Sequence, residues 1–217
     1  MGLIYRHVLD DNSKAIFHQK QALRINPNFE DARMALALSY HLDGDKKSAA
    51  REVGAILESN PRCAPALLLC GIIFERRGKV DRAIQCYARA AESNPNLIDA
   101  RMNLGTLWLK KGDGARARGE WERVYRMNPS NSRVLLNLGA LELRDGNHAA
   151  ARSFFEKALE RSPDSALLWN NMGVLHAGLG RKQEALEAFE KAVHLDASCE
   201  DARRNLEAIQ TQAGSTV

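Results

Sequence analysis

The chain has 217 residues, of which 45% are hydrophobic and 27% are charged, and this composition is typical of a soluble protein with a sizeable core. The formal net charge of +4 is too small to indicate nucleic-acid binding, and the longest apolar run, residues 64–74, is too short to insert across a membrane. The 4 cysteines have no metal-ligand spacing and argue against a disulfide framework, so they favour a reducing, cytoplasmic compartment.

A period of 34 residues runs through the chain. The segments RMNLGTLWLKKGD, LLNLGALELRDGN and WNNMGVLHAGLGR are variants of one sequence pattern. Their asparagines Asn103, Asn137 and Asn171 follow one another at this interval. We number each repeat so that this asparagine is position 6. The numbering predicts one solenoid over residues 1–212 with five full repeats, which are 30–63, 64–97, 98–131, 132–165 and 166–199.

The first element in chain order is a partial unit, residues 1–29. Its second helix is predicted from Ser13 to Asn26, and Met1 falls at position 6 of an incomplete first helix. One interpretation of residues 1–12 is a short helix that packs on Ser13–Asn26. The other is that the chain is cut from a longer one, or that this helix pairs with another molecule.

Each full repeat then predicts two helices, A and B. A glycine at position 15 follows helix A, where a left-handed cap favours a residue without a Cβ. Proline at position 32 ends helix B in four repeats, and the fifth has Ala197 there. The last element is a capping helix, 200–212, in which Glu207 replaces the small residue of position 8 because no further repeat packs there. Residues 213–217 are expected to form a flexible tail.

The packing of helix A on helix B is predicted from the residue types at fixed positions. Positions 4, 7, 8 and 11 of helix A form a stripe with helical spacing that faces the core. Small residues at positions 8 and 20 allow the two helix backbones to approach closely. The aromatic residues at position 24 are predicted to fill the core in the interval between neighbouring units, and they are Tyr87, Trp121, Phe155 and Phe189.

This pattern resembles the tetratricopeptide repeat (TPR) family over almost the whole chain. The best single match to the family motif consists of Trp169, Met172, Gly173, His176, Ala185 and Phe189. The resemblance implies an all-α, right-handed solenoid with about five full repeats and a half-unit at each end. It also implies that helices A line a concave groove in which a peptide segment of a partner protein binds.

Positions 2, 5, 6, 9, 12 and 13 lie opposite the predicted core stripe and would face that groove. Apolar residues on an exposed helix face suit a surface that adapts to a partner, although single exposed apolar residues are ordinary. The candidate contacts at position 5 and beside it are Met34, Leu38, Leu68, Leu69, Ile72, Met102 and Leu136, followed by Asn170 and Arg204.

Two polar ladders run along the same face. The amides of Asn103, Asn137, Asn171 and Asn205 at position 6 could bind an extended peptide backbone, or could bond to neighbouring repeats or water. The cations Arg76, Lys110 and Arg144 at position 13 favour an acidic ligand, although cations also suit the end of a helix because of its dipole.

The function predicted from these patterns is a non-catalytic adaptor or scaffold. The chain has no catalytic motif, so we expect no enzyme activity, no cofactor and no metal site. The two-carboxylate clamp of chaperone-binding TPR proteins needs Lys at position 5 and Asn at position 9, and it is absent. The expected partner is an extended or helical protein segment with apolar anchors and acidic character. The alternatives are a self-assembling scaffold of the bacterial organelle type, which associates through residues 1–12, and a substrate-selecting module of a larger enzyme.

Overall fold

The computed structural model describes the backbone of residues 2–214 and the side chains of residues 12–211. Within this part of the chain there are twelve α-helices and no strands, which confirms the predicted all-α class. The helices are α1 (Gly2–Ile25), α2 (Glu30–Leu42), α3 (Lys46–Ser59), α4 (Ala64–Arg76), α5 (Val80–Ser93), α6 (Ile98–Lys110), α7 (Gly114–Met127), α8 (Ser132–Arg144), α9 (His148–Arg161), α10 (Ala166–Gly178), α11 (Lys182–Leu195) and α12 (Glu200–Gly214).

The helices fall into two compact units, Met1–Lys111 and Gly112–Val217. The helices A of the five repeats are α2, α4, α6, α8 and α10, and each begins at position 1 of its repeat. Within each unit, consecutive helices pack against one another. A helix A also contacts the first helix of the following repeat in the pairs α2–α4, α8–α10 and α10–α12.

The N-terminal segment differs from the fold-back interpretation. Residues 2–25 form one continuous helix, so no separate short helix packs on Ser13–Asn26. The sequence gives a reason, because position 15 of this partial unit is Asp10 and not the glycine that ends every other helix A. The side chains of residues 2–11 lie outside the described part.

The breaks between helices follow the predicted chemistry. The five glycines at position 15 have φ between 69° and 83°, which confirms the left-handed caps. Helix B ends two residues before proline, and the residue in between is extended, as at Asn60 with φ −134° and ψ 83°. Helix α12 ends at Gly214, two residues beyond the expected boundary, and the rest of the expected tail lies outside the described residues.

The core forms where the aromatic residue at position 24 meets the glycine at position 8. Tyr87, Phe155 and Phe189 are all buried, as predicted. A Cβ added to Gly71 would lie 2.4 Å from the Tyr87 ring, so this position requires glycine. The helix backbones therefore approach closely because one residue lacks a side chain and the other fills the space.

The buried face of helix A is wider than the predicted stripe. Positions 3 and 10 are buried in all five repeats, although the predicted stripe contained neither. The reason is that a helix A packs on a helix of an adjacent repeat as well as on its own helix B, as α4 does with α3 and α5. Position 3 is occupied by Ala32, Ala66, Ala100, Val134 and Leu168, and position 10 by Ser39, Ile73, Leu107, Leu141 and Leu175.

Candidate functional site

Only a narrow stripe of each helix A remains open to solvent. Positions 2 and 13 are exposed in all five repeats, and position 9 is exposed or half-buried. These positions project in nearly the same direction, within about 40° at 100° per residue. We call positions 2, 9 and 13 of the five helices A the A-face, and we describe it separately for each unit.

The predicted site residues divide into three groups by burial. Five are exposed, and they are Leu38, Arg76, Lys110, Arg144 and Arg204. Eight are half-buried, and they are Met34, Leu68, Ile72, Asn103, Leu136, Asn137, Asn171 and Asn205. The remaining three are buried and were wrongly predicted to face a groove, namely Leu69, Met102 and Asn170.

The wrong assignments lie at positions 5 and 6, on the two flanks of the A-face. Leu69, at position 6, packs in a cluster with Leu36 and Val53 of the preceding repeat. Leu68, at position 5, packs instead against residues of α5 and α6, which include Tyr87. Neighbouring repeats therefore cover positions 5 and 6 from opposite sides, and a helical wheel of one isolated helix does not include this contact.

In the first unit, the A-face changes from apolar to cationic along the row of helices. Leu38 and Leu42 of α2 are 44% and 79% exposed, and Ile72 of α4 is half-buried. The exposed cations Arg76 and Lys110 follow at position 13 of α4 and α6. This unit therefore presents an apolar surface beside a cationic one.

The two edges of the A-face in this unit also differ in charge. Exposed carboxylates occupy position 2 of α2 and α6, at Asp31 and Asp99. Position 13 lies eleven residues, about 16 Å, further along each helix. It carries Arg76 in α4 and Lys110 in α6. The A-face of this unit is therefore acidic along one edge and basic along the other.

Lys110 on the basic edge already contacts a carboxylate of the protein. Lys110 Nζ lies 3.2 Å from Glu75 Oε1, and most of the lysine side chain remains exposed. Arg76 lies close to His41, whose pKa is lowered first by burial and then by the positive charges of Arg76 and Lys46. An exposed ion pair contributes little stability, so Lys110 can exchange Glu75 for an external carboxylate at small cost.

In the second unit, a cleft of about 410 Å³ lies between α8 and α10. Its apolar wall includes Ala140, Leu143 and Val174, and its polar wall includes Arg144 and Asn171; His148 and Gly178 also line it. Because position 13 of α10 is glycine, no side chain from this position occupies the end of the cleft near His148. The cleft therefore combines an apolar wall with hydrogen-bond donors.

Arg144 at the rim of this cleft belongs to a network of ion pairs. Its guanidinium donates to Asp145 Oδ1 at 3.1 Å, and Arg118 donates to Oδ2 of the same carboxylate at 3.1 Å. Arg118 also pairs with the buried Glu142, which accepts a hydrogen bond from Asn147 at 2.7 Å. The hydrogen bond from Arg118 is the main cause that lowers the pKa of Glu142, and burial opposes it.

The asparagines at position 6 use their amides in different ways. Asn205 Nδ2 donates to Oδ1 of the buried Asn170 at 2.9 Å, and this bond joins α12 to α10. Asn171 donates to the carbonyl of Leu167 in its own helix at 3.0 Å. Asn103 contributes a hydrogen bond to the Tyr87 hydroxyl, which itself donates to Glu75 at 2.9 Å. These contacts match the inter-repeat alternative at Asn103 and Asn205, and local bonding within one helix at Asn171.

Several residues of the A-face and of the cleft were missing from the predicted set. Leu42, Leu167 and Val174 are exposed, and His148 lines the cleft from the first residue of α9. The signal for the first three was present, because they occupy positions 13, 2 and 9 of the predicted groove stripe. His148 had no such signal, since it belongs to a helix B.

Two models of the tetratricopeptide repeat match the sequence, one over residues 43–98 and the other over residues 130–198, and together they cover more than half of the chain. The chain belongs to the tetratricopeptide repeat family. No curated protein sequence matches this TPR protein.

Solved structures share the fold of this TPR protein at low sequence identity. PilF of Pseudomonas aeruginosa has a TM-score of 0.81 and 21% identity, over 97% of this chain and 94% of its own. A chain of the APC/C hetero-tetramer Cut9–Hcn1 has a TM-score of 0.78 and 18% identity, over 94% of this chain. The present chain spans only 40% of the length of that protein. YrrB, a TPR protein with an unusual peptide-binding site, has a TM-score of 0.70 and 20% identity, over 86% of this chain and 96% of its own.

The described residues also limit other kinds of site. None of their helices has the length and apolar character needed to cross a membrane. Nor do the described side chains bring together three or more histidine, cysteine or acidic residues that could hold a metal ion.

Proposed function

We propose that this TPR protein is a non-catalytic adaptor that binds a peptide segment of a partner protein in a concave groove lined by the A-face of the first unit. The observation that carries this proposal is the pairing of exposed apolar and cationic side chains in the first unit. Leu38, Leu42 and Ile72 lie beside Arg76 and Lys110 on the same face. Such a face fits a segment with apolar anchors followed by acidic residues.

In this proposal the exposed leucines of α2 contribute most of the affinity. Burial of the exposed parts of Leu38 and Leu42 beneath an apolar anchor contributes on the order of 1–2 kcal/mol for each side chain. Helix α2, which presents both leucines, is already held in a packed unit, so the partner segment does most of the ordering on binding.

The cations Arg76 and Lys110 select for a partner segment with acidic residues. An acidic residue of the partner can replace Glu75 as the counter-ion of Lys110, and it meets Arg76 on the neighbouring helix. The edge with Asp31 and Asp99 would repel the same residue, so the charges also favour one position of the segment across the face. The peptide-binding site of YrrB, a protein of similar fold, supports the choice of a peptide as the ligand.

The test uses short fluorescent peptides in which one leucine or phenylalanine precedes a run of aspartate and glutamate. We expect Arg76→Gln to weaken their binding several-fold at low salt and to flatten the salt dependence, because an exposed charge attraction is lost. Arg62→Gln is the matched control, since this exposed arginine lies in the loop before α4. Equal affinities of the two variants at low salt would contradict the cationic part of the proposal.

A second set of variants tests the apolar part. Leu42→Asp should abolish binding and leave the far-UV circular dichroism spectrum unchanged, because the side chain is 79% exposed. Peptides without the leucine or phenylalanine anchor should bind the wild-type protein weakly. Binding that survives both changes would exclude Leu42 from the site.

The length of α1 favours one further function, a scaffold that self-associates through residues 1–12. This helix has 24 residues and α2 has 13, which correspond to about 36 Å and 20 Å. Asn12 donates to the carbonyl of Ser39 near the end of α2 at 3.1 Å, so the residues before Asn12 extend beyond α2. Light scattering of the full chain against a chain without residues 1–12 tests this function. Oligomers that are lost on truncation would support it, and a monomer at all concentrations would refute it.

A further inference from the structure

Two cysteine side chains meet inside the hairpin of α4 and α5. The Sγ atoms of Cys70 and Cys86 lie 3.2 Å apart, with Cys86 donating a hydrogen bond to Cys70. Both thiols are free. Cys86 is buried, and Cys70 is half-buried, so a small reagent can reach the pair from the side of Cys70.

The close approach of the two helix backbones brings these sulfurs together. Cys70 precedes Gly71, and Cys86 precedes Tyr87, whose ring fills the space that a Cβ of Gly71 would need. The repeat itself does not require cysteine at these places. The residues at positions 7 and 23 of the other four repeats are Leu36 and Glu52, Leu104 and Glu120, Leu138 and Phe154, and Met172 and Ala188.

The surroundings assign different roles to the two thiols. The hydrogen bond from Cys86 lowers the pKa of Cys70, and the nearby positive charge of Arg89 acts in the same direction, while burial opposes them. The pKa of Cys86 is raised, first by its hydrogen bond to Cys70 and then by burial. Arg89 is held in place by a hydrogen bond of 2.9 Å to the carbonyl of Pro61. Cys70 is therefore the thiol that ionises first and can attack an oxidant.

We propose that Cys70 and Cys86 form a redox modification site, in which a peroxide converts the two thiols into a disulfide between α4 and α5. The Cys70 thiolate attacks one peroxide oxygen, the O–O bond breaks, and the leaving hydroxide takes up a proton to give water. Cys70 is then a sulfenic acid. Cys86 attacks the Cys70 sulfur, the S–O bond breaks, and the second hydroxide leaves as water with the proton of Cys86.

The balance is two thiols and one hydrogen peroxide in, one disulfide and two waters out. The two sulfurs need to approach by only about 1.2 Å to reach the length of a disulfide bond. A small-molecule dithiol reverses the reaction by thiol–disulfide exchange and becomes oxidised itself. Positions 7 and 23 lie outside the A-face, so this proposal does not rest on the proposed function.

The experiment treats the full chain with increasing hydrogen peroxide, alkylates the remaining thiols, and identifies the products by peptide mass spectrometry. Cys63 and Cys199, which are both half-buried, are internal controls. We expect a Cys70–Cys86 disulfide to form before either control is oxidised. The oxidised protein should melt at a higher temperature, because the bond closes a loop in the unfolded chain, and dithiothreitol should reverse the shift.

Two variants complete the test. A chain with Cys63→Ser and Cys199→Ser should keep the melting shift. Cys86→Ser, which keeps a hydrogen-bond donor beside Cys70, should lose the shift while Cys70 accumulates as a sulfenic acid that dimedone traps. The proposal is overturned if Cys70 and Cys86 remain alkylatable when the controls are oxidised. It is equally overturned if the disulfides that form join different molecules through Cys63 or Cys199.

Discussion

Leu69 and Leu38 form a matched pair for testing which residues of helix A are covered by neighbouring repeats. Leu69 is 2% exposed and packs with Leu36 and Val53, whereas Leu38 is 44% exposed. Replacement of a core leucine by alanine removes buried methyl groups and leaves a cavity, which costs about 2–5 kcal/mol. We therefore expect Leu69→Ala to lower the free energy of unfolding by this amount, and Leu38→Ala to lower it by about 1 kcal/mol or less, since water already reaches the side chain.

The measurement is urea unfolding followed by far-UV circular dichroism, with both variants compared with the wild-type protein. A repeat protein can unfold in parts, which changes the slope of the unfolding free energy against urea concentration. The transition midpoints are therefore compared only between variants that have the same slope. Binding of the fluorescent peptides should show the opposite order, with the larger loss for Leu38→Ala under conditions where both variants are folded. If Leu69→Ala cost no more stability than Leu38→Ala, the burial of position 6 in α4 would be refuted. Leu69 would then again be assigned to the groove-facing residues.

Three further predictions concern the packing and charges of single positions. Gly71→Ala should destabilise by about 1–3 kcal/mol in thermal unfolding, because its Cβ would overlap a buried ring, whereas Gly54→Ala, which has open space, should stabilise by about 0.4–1 kcal/mol. The lowered pKa of Glu142 means that its stabilising ion pair is complete above the unfolded pKa of about 4.3 and disappears as the pH falls through the lower folded value. The stability difference between the wild-type protein and Glu142→Gln, measured by urea unfolding, should therefore shrink below about pH 4. A double-mutant cycle of Asn170→Ala and Asn205→Ala should give a coupling energy of about 0.5–1.5 kcal/mol, and additive effects would show that their hydrogen bond does not stabilise the protein.

The periodic features of the fold could be predicted because each depends on one residue type at one position. Glycine at position 15 was readable because a left-handed cap strongly favours it, as at Gly44 with φ 80°. A small residue at position 8 was predicted because the two helix backbones approach closely there, and the structure adds that the Tyr87 ring lies against Gly71. These local rules are independent of how the repeats stack.

The composition of the candidate site was less predictable because it depends on contacts between repeats. Leu68 and Leu69 are chemically identical neighbours, and the structure buries one and leaves the other half-buried. An isolated helical wheel cannot separate them, since each flank of the A-face is covered by a different neighbouring repeat. The continuity of α1 is only weakly indicated by the sequence. Its indication is that Asp10 occupies position 15, where the other repeats have the glycine that ends helix A.

For the charges of the A-face, too, the residue types in the sequence do not show which contacts the side chains make. The sequence shows a ladder of cations at position 13, but Lys110 and Arg144 already contact Glu75 and Asp145. An acidic partner therefore gains only the difference between its own carboxylate and the one that it displaces, which is small for exposed pairs. Tight binding by charge alone is then not expected, and most of the affinity must come from the apolar side chains beside the cations. The cations act instead through the rejection of basic or uncharged segments, so removal of one cation should reduce the selectivity of binding more than its strength.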